Sequence, residues 1–321
     1  MNGPSRVLVL GGSGTIGRAT VRALVARGHQ VVCLLRPSTT QPDLPGAEIR
    51  FGDVTDAAST ARDGFAGERF DAVLSCLASR TGVAADAWAI DHQANLHALQ
   101  AAKAAGVQRM VLLSAICVQK PVLAFQHAKL AFEQALIASG ITYSILRPTA
   151  FFKSLSGQIE RVRQGKPYLI FGDGRLTACK PISDGDLGTY LAECVEQESR
   201  WNRVLPIGGP GPAITPREQG EALFALLGRP ARFRQVPVGL LNAIAGTLGV
   251  LGPLSPALAT KAELARIGRY YATESMLVLD PVSGRYDADA TPSTGTETLF
   301  DYYARVLAGQ AQVERGEHAV F

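Results

Sequence analysis

Short apolar runs alternate with stretches of helical spacing through the first half of the chain. Residues 7–10 (VLVL) are apolar and β-branched, and read as a buried strand. Residues 16–27 space their apolar positions as a helix and stop at Gly28, a residue suited to ending one. Residues 31–35, 49–51 and 72–75 read as further strands, the second of them short. A long alanine-rich helical stretch then runs to Ala105 and ends at Gly106. Residues 110–114 predict a strand, 125–139 a helix closed by Gly140, and 143–146 a strand closed by Arg147-Pro148. This strand–helix rhythm predicts a parallel sheet with helices on both faces, and such sheets bind ligands at the carboxyl ends of their strands.

Beyond Pro148 the rhythm loosens. Glycine and proline cluster at 172–174 and 208–212, residues 204–207 predict a strand returning to the sheet, and a helix is expected from near Thr215-Pro216 to Leu227. The expected organisation is a cofactor domain over 1–150 and a mainly substrate-binding lobe over 151–321, with some segments returning to the first sheet. Residues 235–260 carry no charge. Their length would allow a membrane span, but Pro237, Gly239, Gly246, Gly249, Gly252, Pro253 and Pro256 interrupt them. An irregular apolar wall or lid, core packing of the lobe, or peripheral docking to a membrane are the alternatives.

The 321 residues are 47% hydrophobic and 19% charged, ordinary for a globular protein of one large or two coupled domains. A net charge of +4 without a basic–aromatic run gives no reason to expect nucleic acid. Cys33, Cys76, Cys117, Cys179 and Cys194 are widely spaced, with no CxxC pair, so no metal site is expected and a reducing compartment fits. The first apolar run is too short for a signal peptide, and six residues before it leave no room for a transit peptide, so a cytoplasmic protein is expected.

Candidate chemistry begins where the first strand ends. Gly11-Gly12-Ser13-Gly14-Thr15-Ile16-Gly17 lies between a strand and a helix with GxxGxxG spacing. Gly11 permits the tight turn, Gly14 lets backbone approach a pyrophosphate, and Gly17 allows close helix packing. The helix N-terminus then presents amides and a positive dipole end to phosphate. After the second strand, where a carboxylate would bind ribose hydroxyls, the chain has Arg36, with Ser38 and Thr39 close by. A guanidinium there suits a 2′-phosphate, so NADPH is the expected cofactor. Asp53, followed by Val54, can accept from the adenine amino group or serve as a turn residue. Cys76, Leu77 and Ala78, after the fourth strand, should line the middle of the nucleotide.

Ser114, then Phe125-xxx-Lys129, resembles the short-chain dehydrogenase pattern of serine followed by Tyr-xxx-Lys, with phenylalanine in place of tyrosine. The tyrosine normally protonates a carbonyl oxygen and phenylalanine cannot, which argues against simple ketone reduction. Further blocks carry a closer resemblance: 51–56 (FGDVTD), 75–80 (SCLASR), 111–125 (VLLSAICVQKPVLAF), 146–155 (LRPTAFFKSL), 171–174 (FGDG), 179–183 (CKPIS), 205–211 (LPIGGPG) and 267–281 (IGRYYATESMLVLDP). Over about residues 5 to 305 the chain resembles the divinyl (proto)chlorophyllide 8-vinyl reductase family of atypical short-chain dehydrogenases. That resemblance implies a Rossmann-type doubly wound α/β fold. It also implies an NADPH-dependent oxidoreductase that reduces the 8-vinyl group of a magnesium tetrapyrrole to ethyl in (bacterio)chlorophyll biosynthesis. A vinyl group needs hydride and a proton but no acid at an oxyanion, so the missing tyrosine is tolerable.

Lys129 is the expected catalytic residue, binding nicotinamide ribose and delivering or relaying a proton. Ser114, Pro148, Thr149 and Phe151 are expected at the cofactor, and Phe125, Phe152 and Tyr270 at the substrate. His127 and Tyr271 are weaker candidates. Two rivals stand beside this reading: a non-catalytic NADP(H)-binding regulator or assembly factor, and a reductase of another conjugated alkene.

Overall fold

The computed structural model describes residues 3–37, 43–251 and 255–313. In chain order the elements begin β1 (Arg6–Leu10), α1 (Thr15–Ala26), β2 (Gln30–Leu35), β3 (Ala47–Phe51) and a one-turn α2 (Ala57–Ser59). Then follow β4 (Ala72–Ser75), α3 (Ala84–Ala87), a π-helical segment (Trp88–Ala94), α4 (Asn95–Ala104), β5 (Arg109–Leu113), α5 (Ala124–Ala138) and β6 (Thr142–Pro148). The remainder comprises α6 (Phe152–Leu155), α7 (Ile159–Arg163), β7 (Tyr168–Phe171), α8 (Asp184–Glu196), β8 (Arg203–Ile207), α9 (Pro216–Leu226), β9 (Phe233–Val236), α10 (Val238–Leu251), α11 (Pro256–Thr273), β10 (Val278–Leu279), β11 (Tyr286–Asp287) and α12 (Leu299–Leu307). The chain forms two compact units. The first is Met1–Arg80, Ala84–Pro148 and Asp184–Pro206; the second is Thr81–Val83, Thr149–Ser183 and Ile207–Phe321.

The first unit is built on a seven-stranded sheet of order β3-β2-β1-β4-β5-β6-β8. The pairs from β3 through to β6 are parallel. Strand order reverses at β1, with β2 on one side and β4 on the other. The loop leaving β1 therefore opens at a topological switch point, where a doubly wound sheet has its crevice. The inner strands are apolar on both faces, as a sheet covered on both sides demands: Val7, Leu8, Val9, Leu10, Val73 and Leu74 are fully buried. One face packs Leu8, Leu10, Val32, Leu34 and Met110 beneath Ala98, Leu99 and Ala102 of α4 and Phe132 and Leu136 of α5. Elsewhere α1 packs on α8. Their closest approach is at Gly188, where an added Cβ would lie 2.6 Å from the Ala19 carbonyl carbon. The predicted strands and helices of this unit all form, with ends shifted by a residue or two. The long alanine-rich helix is the exception, because its turn widens to π geometry over Trp88–Ala94. Helix α8 is an addition to the expected elements, although Ser183 and the acidic Asp184 and Asp186 of its first turn mark its start.

In the second unit β7 and β9 form a parallel pair and β10 and β11 an antiparallel one. Helix α9 starts where the sequence indicates. Pro216 stands in its first turn, and Thr215 and Glu218 form a reciprocal capping box. The uncharged segment departs from expectation. Among the described residues α10 is a regular helix through Gly239 and Gly246, and Pro256 opens α11, which packs against α10; Gly252 and Pro253 lie outside the described residues. Pro is tolerated at that first position because no intrahelical N–H bond is lost there. An added Cβ at Gly239 or Gly246 would meet nothing within 4 Å, so neither glycine is required by packing. Leu240 and Ile244, one turn apart, are 51% and 41% exposed. Among the described residues no helix is long and apolar enough to cross a membrane.

Gly188→Ala should destabilise the first unit, because the clash is with Ala19 backbone rather than a movable side chain. Overpacking of this kind costs about 1–3 kcal/mol. Thermal unfolding should fall by several degrees, and an unchanged Tm would show that α1 and α8 separate freely.

Candidate cofactor and active site

The loop after β1 is shaped by two backbone contacts. Gly11 has φ +74°, and a Cβ there would lie 2.7 Å from the Cys76 carbonyl. A Cβ on Gly17 would sit 2.1 Å from the Gly11 carbonyl oxygen. Both glycines are therefore demanded by the protein's own packing. Gly14 is different. Its added Cβ would touch only the Gly11 oxygen, at an ordinary 3.5 Å. Internal packing leaves room for a side chain at Gly14, so its bare backbone fits close approach of a ligand. As N-cap of α1, Gly14 offers no side-chain acceptor, and the first turn holds no acidic residue. That leaves the positive end of α1 uncompensated by the chain, which is the condition for holding phosphate. Ser13 accepts from Arg18 through its carbonyl, 2.7 Å from Nη1, which braces the loop.

At the ends of β2 and β3 stand Arg36 and Asp53, both exposed. Ser38 and Thr39 lie outside the described residues. The Asp53 carboxylate accepts from the Thr55 hydroxyl and amide at 2.7 and 2.8 Å. Those bonds hold its carboxyl below the usual range, with the Arg36 charge acting in the same direction. Asp53 thus closes a turn through Oδ1, while helix capping falls to Asp56, which accepts from the Ala58 amide. Val54 is buried beside it.

Cys76 follows β4 and donates its amide to the Leu10 carbonyl, 2.9 Å away, beside Gly11. Burial pushes its thiol up to about 12, so it is a neutral thiol rather than a nucleophile. Leu77 is buried and Ala78 exposed. Beneath them, the Ser75 hydroxyl bonds Asn95 Oδ1 at 2.6 Å.

Helix α5 starts where Gln126 turns back on its own N-terminus. Its Oε1 accepts from the amides of Val122 and Leu123, and its Nε2 donates to the Cys117 carbonyl. Phe125, Lys129 and Glu133 then follow at four-residue spacing along one helix face. Phe125 is buried. Lys129 Nζ lies 2.8 Å from Oδ1 of Asp91, a wholly buried side chain on the π-helical segment. Glu133, also buried, accepts from the Ser114 hydroxyl and from Arg147. Ser114 is therefore committed to a structural carboxylate, and the phenyl ring of Phe125 offers it no hydroxyl partner. The Ser–Tyr acid of a ketone reductase is absent, whereas its lysine is held in place. His127 points to solvent.

The second unit receives the remaining predicted residues. Pro148 ends β6 as the last residue of the first unit. Thr149 is buried, with its hydroxyl given to the Lys180 carbonyl and its amide to the Ile207 carbonyl. Phe151 is half-buried and bridges to Ile182. Phe152 is 3% exposed and packs on Tyr302 with ring centroids 5.5 Å apart. Tyr270 is 5% exposed and meets Tyr271 edge-on. Phe152 and Tyr270 are thus core aromatics by placement, and Tyr271 is the exposed member of its pair.

Asp91, Glu133, Arg147, Asn95 and Gln126 were not singled out from sequence. Glu133 had a signal, its spacing of four from Lys129. Asp91 sits within an alanine-rich helical run and had none.

Residues 11–198 match the family described as NAD(P)H-binding. The chloroplastic divinyl chlorophyllide a 8-vinyl-reductase of Oryza sativa subsp. indica is 49% identical over 331 residues, covering 98% of this chain and 82% of that protein. The protein of the same name from Cucumis sativus is 49% identical over 334 residues, covering 99% and 80%. Among solved structures, an NADPH-dependent quinone oxidoreductase of Escherichia coli in complex with NADPH superimposes with TM-score 0.68, covering 94% of this chain and 99% of that one at 18% identity. At that identity the likeness speaks for the fold. With a glycine cradle at the switch point, a positioned lysine without its tyrosine, and near-full-length relatives at 49% identity, the chain belongs to the divinyl chlorophyllide a 8-vinyl-reductase family.

Proposed function

We propose that this protein reduces the 8-vinyl group of divinyl chlorophyllide, or of its protochlorophyllide counterpart, to ethyl with NADPH. The observation that carries the reading is the α5 face: Lys129 is positioned, Phe125 replaces the carbonyl acid, and Ser114 is bonded to Glu133. That arrangement suits an alkene activated by conjugation, where no oxyanion needs a proton. It fits a carbonyl poorly.

The chain's residues take the following roles. Gly11, Gly12, Ser13, Gly14, Thr15, Ile16 and Gly17 cradle the pyrophosphate at the start of α1. Arg36 binds the 2′-phosphate, and Asp53 and Val54 border the adenine. Cys76, Leu77 and Ala78 line the middle of the nucleotide. Bound there, NADPH supplies the hydride. Lys129 holds the nicotinamide ribose through the N–H bonds not given to Asp91, and its ammonium delivers or relays the proton. Ser114 acts from behind, keeping Glu133 and α5 in register with β5 and β6. Pro148, Thr149 and Phe151 shape the backbone after β6 on the cofactor side, with Thr149 acting through its buried hydrogen bonds.

The flat pigment needs apolar cover, and the exposed stripe of α10 is the surface we assign to it. The same stripe supports peripheral contact with a photosynthetic membrane, by a protein we infer to be bacterial and cytoplasmic. Leu240→Asp separates these roles. Loss of pigment affinity in a folded, NADPH-binding variant supports the cover. Loss of vesicle association alone supports docking, and neither loss removes both.

Incubation with NADPH and divinyl chlorophyllide should shift the Soret band as conjugation shortens; pigment-independent NADPH binding without a shift would favour a non-catalytic regulator. NADPH should be preferred over NADH by at least about tenfold, roughly 1.4 kcal/mol. Arg36→Asp should erase most of that preference, measured as the ratio of the two kcat/KM values, and equal use of both cofactors by the unaltered protein would refute the assignment. Lys129→Ala should lower kcat/KM by at least ~100-fold, about 2.7 kcal/mol of transition-state stabilisation. Near-normal turnover and NADPH affinity in that variant would make the lysine a bystander.

A further inference from the structure

We propose that Asp91 is the positioning residue for Lys129, and that it couples the lysine to the nucleotide-lining loop after β4. The inference rests on the reading of Lys129 as the cofactor-binding lysine and assigns the group that aims it. One oxygen, Asp91 Oδ1, lies 2.8 Å from Lys129 Nζ and accepts from the Ser79 amide at 3.3 Å. Ser79 belongs to the stretch after β4 that also holds Cys76. One carboxylate oxygen therefore clamps two separate parts of the presumed nucleotide site. The charge of Lys129 reaches Cys76 as well, opposing the upward push that burial gives its thiol.

The surroundings show what this arrangement costs. The Asp91 side chain is 0% exposed, and its second oxygen, Oδ2, is buried without a hydrogen-bond partner. A buried carboxylate with half of its acceptor capacity unused is a standing expense. Satisfying one lysine does not require it, because a lysine 12% exposed could reach water by turning outward. The expense is explained if the location of the ammonium is what matters. The backbone is adapted to the same end. Asp91 lies in the π-helical segment, whose wider turn sets its side chain between α5 and the loop. Asn95 fixes that turn by donating its amide to the Ile90 and Asp91 carbonyls, leaving the carboxylate untouched. With one N–H bond directed at Asp91, the remaining two have their directions set relative to the Ser79 loop.

The test is a double-mutant cycle on the full-length protein, read by NADPH affinity from nicotinamide fluorescence and by kcat and KM separately. Lys129→Met should weaken NADPH binding by about tenfold or more, and Asp91→Asn should reproduce most of that loss with an intact fold. The double variant should bind no worse than Lys129→Met alone, since residues acting through one another are non-additive. Its Tm should exceed that of Asp91→Asn, in which the ammonium must either lose its counter-charge or give up its packing to reach water. Such recovery of stability without recovery of binding separates aiming from mere packing. Losses that add in the double variant overturn the inference, as does a folded Asp91→Asn variant with unchanged affinity and kcat. If Asp91→Asn does not fold, Asp91→Glu keeps the charge and displaces it by one methylene. It should lower kcat at near-normal Tm, and full activity there overturns the inference. Unaltered NADPH affinity and turnover in Lys129→Met would instead sink the underlying reading of the lysine.

Discussion

Two carboxylates buried under one helix govern the first unit. Asp91 and Glu133 both lie in the interior, and each meets a cation there. Lys129 and Arg147 supply the charges, from α5 and from β6. Asp91 ties α5 to the π-helical segment and the loop after β4; Glu133 ties it to β5 through Ser114 and to β6 through Arg147. A helix resting on Phe132 and Leu136 alone could slide or rotate a little at small cost, because apolar contact has no direction. Held at both charges it cannot, and the distance from Lys129 to the strand ends is fixed with it.

Glycine economy does the comparable work across the sheet. Gly11 brings the β1–α1 turn against the chain leaving β4, Gly17 seats α1 on that turn, and Gly188 brings α8 against α1. Each is a place where backbone occupies the volume a methyl would need. The cofactor cradle is thereby fastened to both neighbours before any ligand arrives, and Gly14 is the position left bare toward the outside.

Much of this could be read from the residues. The strand–helix rhythm, the glycine spacing and the Thr215-Pro216 helix start are local signals, and the elements form where those signals fall. What could not be read depends on partners distant in sequence. Helix α8 is held by its fit to α1 across some 160 residues, which no local spacing reports. The π turn that presents Asp91 lies inside an alanine-rich stretch whose periodicity reads as plain α-helix. Helix α10 was misjudged because seven glycines and prolines in the segment were weighed by number. Their positions matter more: Gly239 and Gly246 stand on an open face, and Pro256 stands where a helix begins. Phe152 shows why a site is harder to read than a fold, since an aromatic after a strand end reads identically whether its ring faces a ligand or, as here, packs on Tyr302.

The Ser114–Glu133–Arg147 cluster also constrains what this scaffold could become. Restoring tyrosine at Phe125 would supply a hydroxyl, but the serine that should orient it is already spoken for. Freeing that serine means removing Glu133, which would leave Arg147 without its counter-charge in a half-buried position. Carbonyl chemistry on this scaffold would thus need several changes at once, and removing Glu133 alone would strand the charge of Arg147. The lock on the serine is a carboxylate one turn along the helix from Lys129, so the same helix that presents the lysine withholds the acid.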